Sequence, residues 1–164
     1  MKLRLLATDP DPLLLQIFRA YFPNFGYDIA TARDGLECVE LLHEFLPDAL
    51  VLSLELLWGG ADGVLSIVRE ETQVRPIPVV LTVGEMGRSK AVKYLLPPVV
   101  KLLEKPFRLR DLRAIVEDAL HARADRLISG FDDPAVTFAR DDLPLDADII
   151  SHIARIHRAE ARHV

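Results

Sequence analysis

Short, almost wholly apolar runs alternate along the chain with segments whose apolar residues recur at helical spacing. That is the pattern of an α/β domain built on a parallel sheet. Residues 3–7 predict a first strand, and the Asp-Pro-Asp-Pro that follows signals a turn and a helix start. The helix runs to about Phe22, with Leu14, Phe18 and Tyr21 at core-facing spacing, before Gly26 breaks it. Residues 27–31 predict a second strand. Asp34-Gly35 then opens a helix that sets Val39, Leu42 and Leu46 on one face. Residues 49–54 are apolar except for Ser53, as a central parallel strand covered on both faces requires.

Asp62-Gly63 begins a third helix that reaches about Glu71, and residues 77–83 predict a fourth strand. Residues 86–96 predict a fourth helix, ended by Pro97-Pro98. A fifth strand at 99–103 and a fifth helix at 109–123 complete the series. Five strand–helix units in this order predict a doubly wound sheet, with its crevice at the carboxyl ends of the strands. Asp9, Ser53, Thr82 and Lys105 all fall at such ends.

Past Ala124 the character changes, which divides the chain into a domain at 1–124, a connector at 125–148 and a terminal helix at 149–164. Between Gly130 and Asp148 six aspartates face one arginine, with Pro134 and Pro144 among them, a composition with little helix of its own. In the last segment Ile149, Ile153 and Ile156 share a face that needs cover from the domain, a second copy or another protein. His152, His157 and His163 lie five and six residues apart, off any common helical face, so no zinc site is expected.

With 164 residues, half of them hydrophobic, the composition is that of a globular protein. The net charge of −5 gives no electrostatic footprint for nucleic acid. Cys38 stands alone and reads as a small buried residue of a helix, which suits a reducing compartment. The apolar run at the N-terminus is too short for a signal peptide or a membrane span. A cytoplasmic location without membrane contact is the expectation.

Several segments, in order over residues 3–120, resemble the receiver domains of bacterial two-component response regulators. Thr8-Asp9-Pro10-Asp11-Pro12 resembles the acidic turn after the first strand, and Ala32-Arg33-Asp34-Gly35 the entry to the second helix. Pro47-Asp48-Ala49-Leu50-Val51-Leu52 resembles the lead into the phosphoacceptor strand, and Asp62-Gly63 the start of the third helix. Ile77-Pro78-Val79-Val80-Leu81-Thr82 resembles the fourth strand with its switch hydroxyl, and Glu104-Lys105-Pro106-Phe107 the Lys-Pro pair after the fifth. The resemblance implies a flavodoxin-like sheet of order 2-1-3-4-5 with a helical C-terminal extension. In active members it further implies an aspartate nucleophile, two acidic residues holding Mg²⁺, and a hydroxyl and a lysine for the phosphoryl oxygens. An ionised carboxylate attacks without a base, and the cation and lysine stabilise the transferring charge.

On that template Ser53 occupies the phosphoacceptor position, and a serine hydroxyl without an adjacent base is a poor nucleophile. Pro10 replaces one acidic residue of the first loop, Asp11 lies one place further on, and Leu102 stands where an aromatic switch belongs. Thr82 and Lys105 are retained. Asp9 facing Lys105 forms a nearly neutral pair, so a direct or water-bridged contact and no metal or other cofactor are expected. Glu55 either mimics a phosphoryl charge or, more simply, is a solvated residue at the strand end.

Trp58 sits in a loop, residues 56–61, about two residues longer than the family's usual form. It either caps the pocket, anchors a partner or folds back on the core edge. Tyr94, Leu95 and Leu96 suit a dimer face on the fourth helix, and burial of that helix against the sheet explains part of the run equally well. The composite reading is a pseudo-receiver, an interaction module that works without phosphorylation and is not an enzyme. Its partner is another signalling protein or a second copy, met through the fourth helix, fifth strand and fifth helix or through the C-terminal helix. Rivals are a receiver phosphorylated on Asp9, Asp11 or Asp48, a small-ligand module under Trp58, and a DNA-binding regulator using the last helix.

Overall fold

The first apolar run forms β1 (Leu3–Thr8), and the aspartate after its turn starts the next element. Asp11 caps α1 (Pro12–Tyr21): its carboxylate accepts from the amides of Leu13 and Leu14, while Pro12 supplies the preset φ of a first helical residue. A 3-10 turn (Phe22–Phe25) and a left-handed Gly26 lead into β2 (Tyr27–Ala32). Asp34 caps α2 (Gly35–Glu44) by accepting from the Glu37 amide, and Glu37 reaches back to the Arg33 amide at 2.7 Å, a close variant of the capping box. β3 (Ala49–Ser53), α3 (Gly60–Glu70), β4 (Val79–Val83), a 3-10 turn (Val92–Tyr94), β5 (Val99–Glu104) and α4 (Leu109–Ser129) follow.

A computed structural model describes residues 2–84, 87 and 91–129. The chain divides into two compact units, Lys2–Ala119 and the residues from Leu120 onward; of the second, the description covers the last turns of α4. In the first unit all strands are parallel in the order β2-β1-β3-β4-β5. The order reverses between β1 and β3, which opens a crevice at their carboxyl ends.

Every residue of β3 and of β4 is buried, so their apolar runs are explained by cover on both faces. One cluster joins Leu6, Leu50, Leu52 and Leu81 of the strands to Cys38 and Leu42 of α2 and Val64, Leu65 and Val68 of α3. Burial pushes the Cys38 thiol up to about 12, so it is inert packing, as its position on a helix suggests. Asp48 fixes the start of β3: its carboxylate accepts the Arg4 amide at 2.8 Å and its own amide donates to the Arg4 carbonyl at 2.7 Å. Arg75 pairs with it at 3.4 Å.

Some details differ from the sequence reading. The buried stripe beneath α1 is Leu15, Phe18 and Phe22, with Leu14 and Tyr21 half-buried, because the last contact comes from the 3-10 turn. Leu46 lies beyond α2 at a φ of 50° and is exposed, leaving Cys38 and Leu42 as the inward pair. α3 starts at Gly60, two residues before Asp62, since left-handed Gly59 turns the chain directly into it. α4 continues to Ser129, through helix formers that no glycine or proline interrupts before Gly130. Of the expected fourth helix at 86–96, residues 86 and 88–90 lie outside the described residues. The described part runs into a 3-10 turn at Val92–Tyr94, and Leu95 and Leu96 lie beyond it, so the helix does not reach Leu96. Ile149, Ile153 and Ile156 and the connector beyond Ser129 also lie outside the described residues.

Candidate functional site

Parallel pairing brings the strand exits together. Ser53 is directly opposite Thr82, the Leu54 amide donates to the Thr82 carbonyl at 2.9 Å, and the Lys105 amide donates to the Val83 carbonyl at 2.8 Å. Asp9, one residue past β1, is held by its own amide donating to the Ala32 carbonyl at 3.1 Å. These main-chain bonds aim three side chains at one point.

The point is the ammonium of Lys105. Its Nζ lies 2.6 Å from Asp9 Oδ2, 2.9 Å from Glu55 Oε2 and 3.3 Å from Ser53 Oγ. An ammonium has three N–H donors, and here each has an acceptor. Burial opposes the charge on Lys105, but the hydrogen bonds to Asp9 and Glu55 outweigh it and raise its pKa above the ordinary lysine value. Asp9 is buried, and its other oxygen accepts the Asp11 amide at 2.9 Å. The expected Asp9–Lys105 contact is therefore direct.

Glu55 is exposed, as expected of a residue at the strand end, but its carboxylate is engaged. β3 ends at Ser53, and the carboxylate spans two exits, with Oε2 on Lys105 and Oε1 accepting the Gly84 amide at 2.5 Å. Burial pushes the Glu55 carboxyl up, yet the bonds from Lys105 and Gly84 prevail and hold it below the usual glutamate value. Two carboxylates thus face one ammonium, and the cluster carries one net negative charge instead of being neutral. An acid two residues past the strand end was the available signal; the sequence does not show that it reaches Gly84, 29 positions away.

Asp11 is not part of this cluster: its Oδ1 caps α1. The Thr82 hydroxyl is at the site, buried and without a hydrogen-bond partner among the described residues. Leu102 pairs with Leu81 across the sheet and packs half-buried against the core cluster. Trp58 does not fold back on the core edge: it is 68% exposed, next to Leu57 at 80%. Tyr94 belongs to a 3-10 turn, packs against the core cluster and donates its hydroxyl to Asp62 of α3 at 2.8 Å, while Leu95 and Leu96 are exposed.

These residues do not fit a Mg²⁺ ion. A small divalent ion asks for several free oxygens in octahedral array. Both oxygens of Asp9 and both of Glu55 are engaged by N–H donors, Pro10 has no ligand atom in its side chain, and Asp11 caps a helix. Lys105 already places a positive charge between the two carboxylates. Among the described residues no group of three or more His, Cys, Asp or Glu side chains gathers as a metal site. None of their helices is long and apolar enough to cross a membrane.

The family model described as the response regulator receiver domain matches residues 5–117. The response regulator MprA of Mycobacterium sp. (strain KMS) is 30% identical over 147 residues, covering 89% of this chain and 61% of that protein. The DNA-binding response regulator MtrA of Mycolicibacterium smegmatis is 27% identical over 146 residues, covering 89% of this chain and 60% of its own length. The chain thus spans about three-fifths of these relatives. Among solved structures, the signal receiver domain of a putative LuxO repressor protein from Vibrio parahaemolyticus is similar at a TM-score of 0.69 and 21% identity, over 78% of this chain and 98% of that one. A CheY-like receiver domain protein from Methanospirillum hungatei gives 0.67 and 16%, over 77% and 99%. At these identities the likeness is one of fold.

Proposed function

The chain belongs to the response regulator receiver family, and from that premise we propose that it is a signalling module that binds another protein without being phosphorylated. The observation that carries this reading is the saturation of Lys105 by Asp9, Glu55 and Ser53. A lysine that assists transfer needs a donor free for the incoming oxygens. This one has none, and the net negative cluster around it repels an anionic phosphodonor. Ser53, fully buried and with no hydrogen-bonded base among the described residues except the carboxylate of Glu55 at 3.5 Å, is a weak nucleophile. The role is binding and not catalysis, with Trp58 and Leu57 as exposed apolar contacts for a signalling partner.

The test is a titration with Mg²⁺ and beryllofluoride followed by Trp58 fluorescence, with intact mass recorded after acetyl phosphate. No response and no added phosphoryl mass are expected. Saturable Mg²⁺ binding with one added phosphoryl group would overturn the reading in favour of a receiver with a non-standard acceptor.

A second reading, action at DNA, is favoured by the likeness to the DNA-binding response regulator MtrA of M. smegmatis. The net charge of −5 argues against this chain itself as the contact. Salt-dependent retention of duplex DNA by the purified chain would establish it.

A further inference from the structure

The shape of the pocket depends on a residue that neither the sheet nor the caps require. Glu55 follows the end of β3 and touches the exits of β4 and β5: Oε2 faces the Lys105 ammonium at 2.9 Å and the Ser53 hydroxyl at 3.5 Å, and Oε1 takes the Gly84 amide at 2.5 Å. Its own amide donates to Ser53 Oγ at 3.3 Å. We propose that Glu55 is an intramolecular anionic ligand of the pocket, which clamps the exit of β4 to Lys105 and holds this face in one state with no transferred group. The proposal deepens the phosphorylation-independent reading and rests on it for its purpose, but its geometry stands separately.

Three observations converge on the clamp. Glycine at 84 leaves the room that the carboxylate occupies: a Cβ there would collide with Glu55 Oε1 and push that side chain away. The loop carrying Glu55 is anchored just beyond it, by buried Leu56 and by the Trp58 carbonyl accepting the Gly35 amide at 2.7 Å, so Glu55 is presented from a fixed backbone. The Thr82 hydroxyl is bypassed and left buried without a partner, which places the anion on the Gly84 amide and the lysine instead of on the side chain of β4.

Amide hydrogen exchange of the full chain, read by mass spectrometry on peptides ending beyond Gly84, tests this with no phosphodonor present. A failure of the clamp is therefore separable from a failure of the phosphorylation-independent reading, which the mass experiment decides. Glu55→Ala is expected to speed exchange at Gly84 by about tenfold or more, the worth of a charge-assisted bond. Glu55→Gln, which keeps the volume, is expected to fall between Glu55→Ala and the native chain. Peptides from β1 and β2 serve as the control for intact folding and are expected to be unchanged. Exchange at Gly84 within about twofold of native in both variants, with that control satisfied, would overturn the clamp.

Discussion

Gly35 and Trp58 are joined main chain to main chain: the Gly35 amide donates to the Trp58 carbonyl at 2.7 Å, where α2 begins beside the loop that leads to α3. A Cβ on Gly35 would lie 2.6 Å from that carbonyl oxygen and 3.0 Å from the Gly59 carbonyl carbon, both of them backbone. Gly35→Ala therefore has to move one loop off the other, and a loss of about 1–3 kcal/mol is expected. Gly63 is the counter-case, an exposed glycine inside α3 with nothing within 4 Å of its missing Cβ. Gly63→Ala is expected to add about 0.5–1 kcal/mol through helix propensity. Urea unfolding of the two variants should give opposite signs; a neutral Gly35→Ala would mean that the two loops are not held against each other.

Lys105 is the counter-ion of a buried carboxylate, since the Asp9 side chain is 2% exposed. Lys105→Met leaves that charge without its cation, which costs about 3 kcal/mol when one partner of a buried pair is removed. Asp9→Asn combined with Lys105→Met removes both charges and is expected to be more stable than Lys105→Met alone. A double-mutant cycle measures the coupling. Strict additivity of the two single changes would show that the 2.6 Å contact contributes nothing to stability.

The strands were legible because β3 and β4 are buried on both faces, and their sequences record this as runs that are apolar but for Ser53 and Thr82. The inner face of α1 was not. In Leu13-Leu14-Leu15 periodicity does not choose among three leucines, and the choice of Leu15 is made by packing with Phe18 and Phe22. Asp9 and Lys105 were paired through the receiver resemblance, which their strand-end positions support. Asp11 was placed with them by charge, although the proline after it marks it as the cap of α1. Glu55 was underrated because its partners, Gly84 and Lys105, come from other strands, and contacts so distant along the chain leave no local periodicity.

Ser53→Asp asks what the pocket lacks for a divalent ion. The new carboxylate would stand at a fully buried position beside Asp9 and Glu55, raising the local count to three negative charges against one ammonium. Without metal this is expected to cost about 2 kcal/mol or more. Millimolar Mg²⁺ should restore part of the loss in the variant and leave the native melting temperature unchanged. Equal melting shifts by Mg²⁺ in both proteins would place any bound ion elsewhere.

His43 supplies a pH dependence remote from the pocket. Its Nε2 lies 2.8 Å from Glu71 Oε1 and its Nδ1 2.8 Å from the Val39 carbonyl oxygen; an acceptor at each nitrogen favours the protonated ring over the neutral one. The Glu71 bond first, and the Val39 bond second, raise its pKa above the ordinary histidine value. Because the folded pKa is the higher one, the stabilisation is fully present below about pH 6.5 and fades as the pH rises through the raised value. The pair is about one-third exposed on each side, so the effect is small, below about 1 kcal/mol. Urea midpoints of the native chain and of His43→Gln, taken from about pH 5.5 to 8.5, should differ most at the acid end and converge at the alkaline end. Parallel profiles across that range would mean that the bond to Glu71 does not depend on the proton.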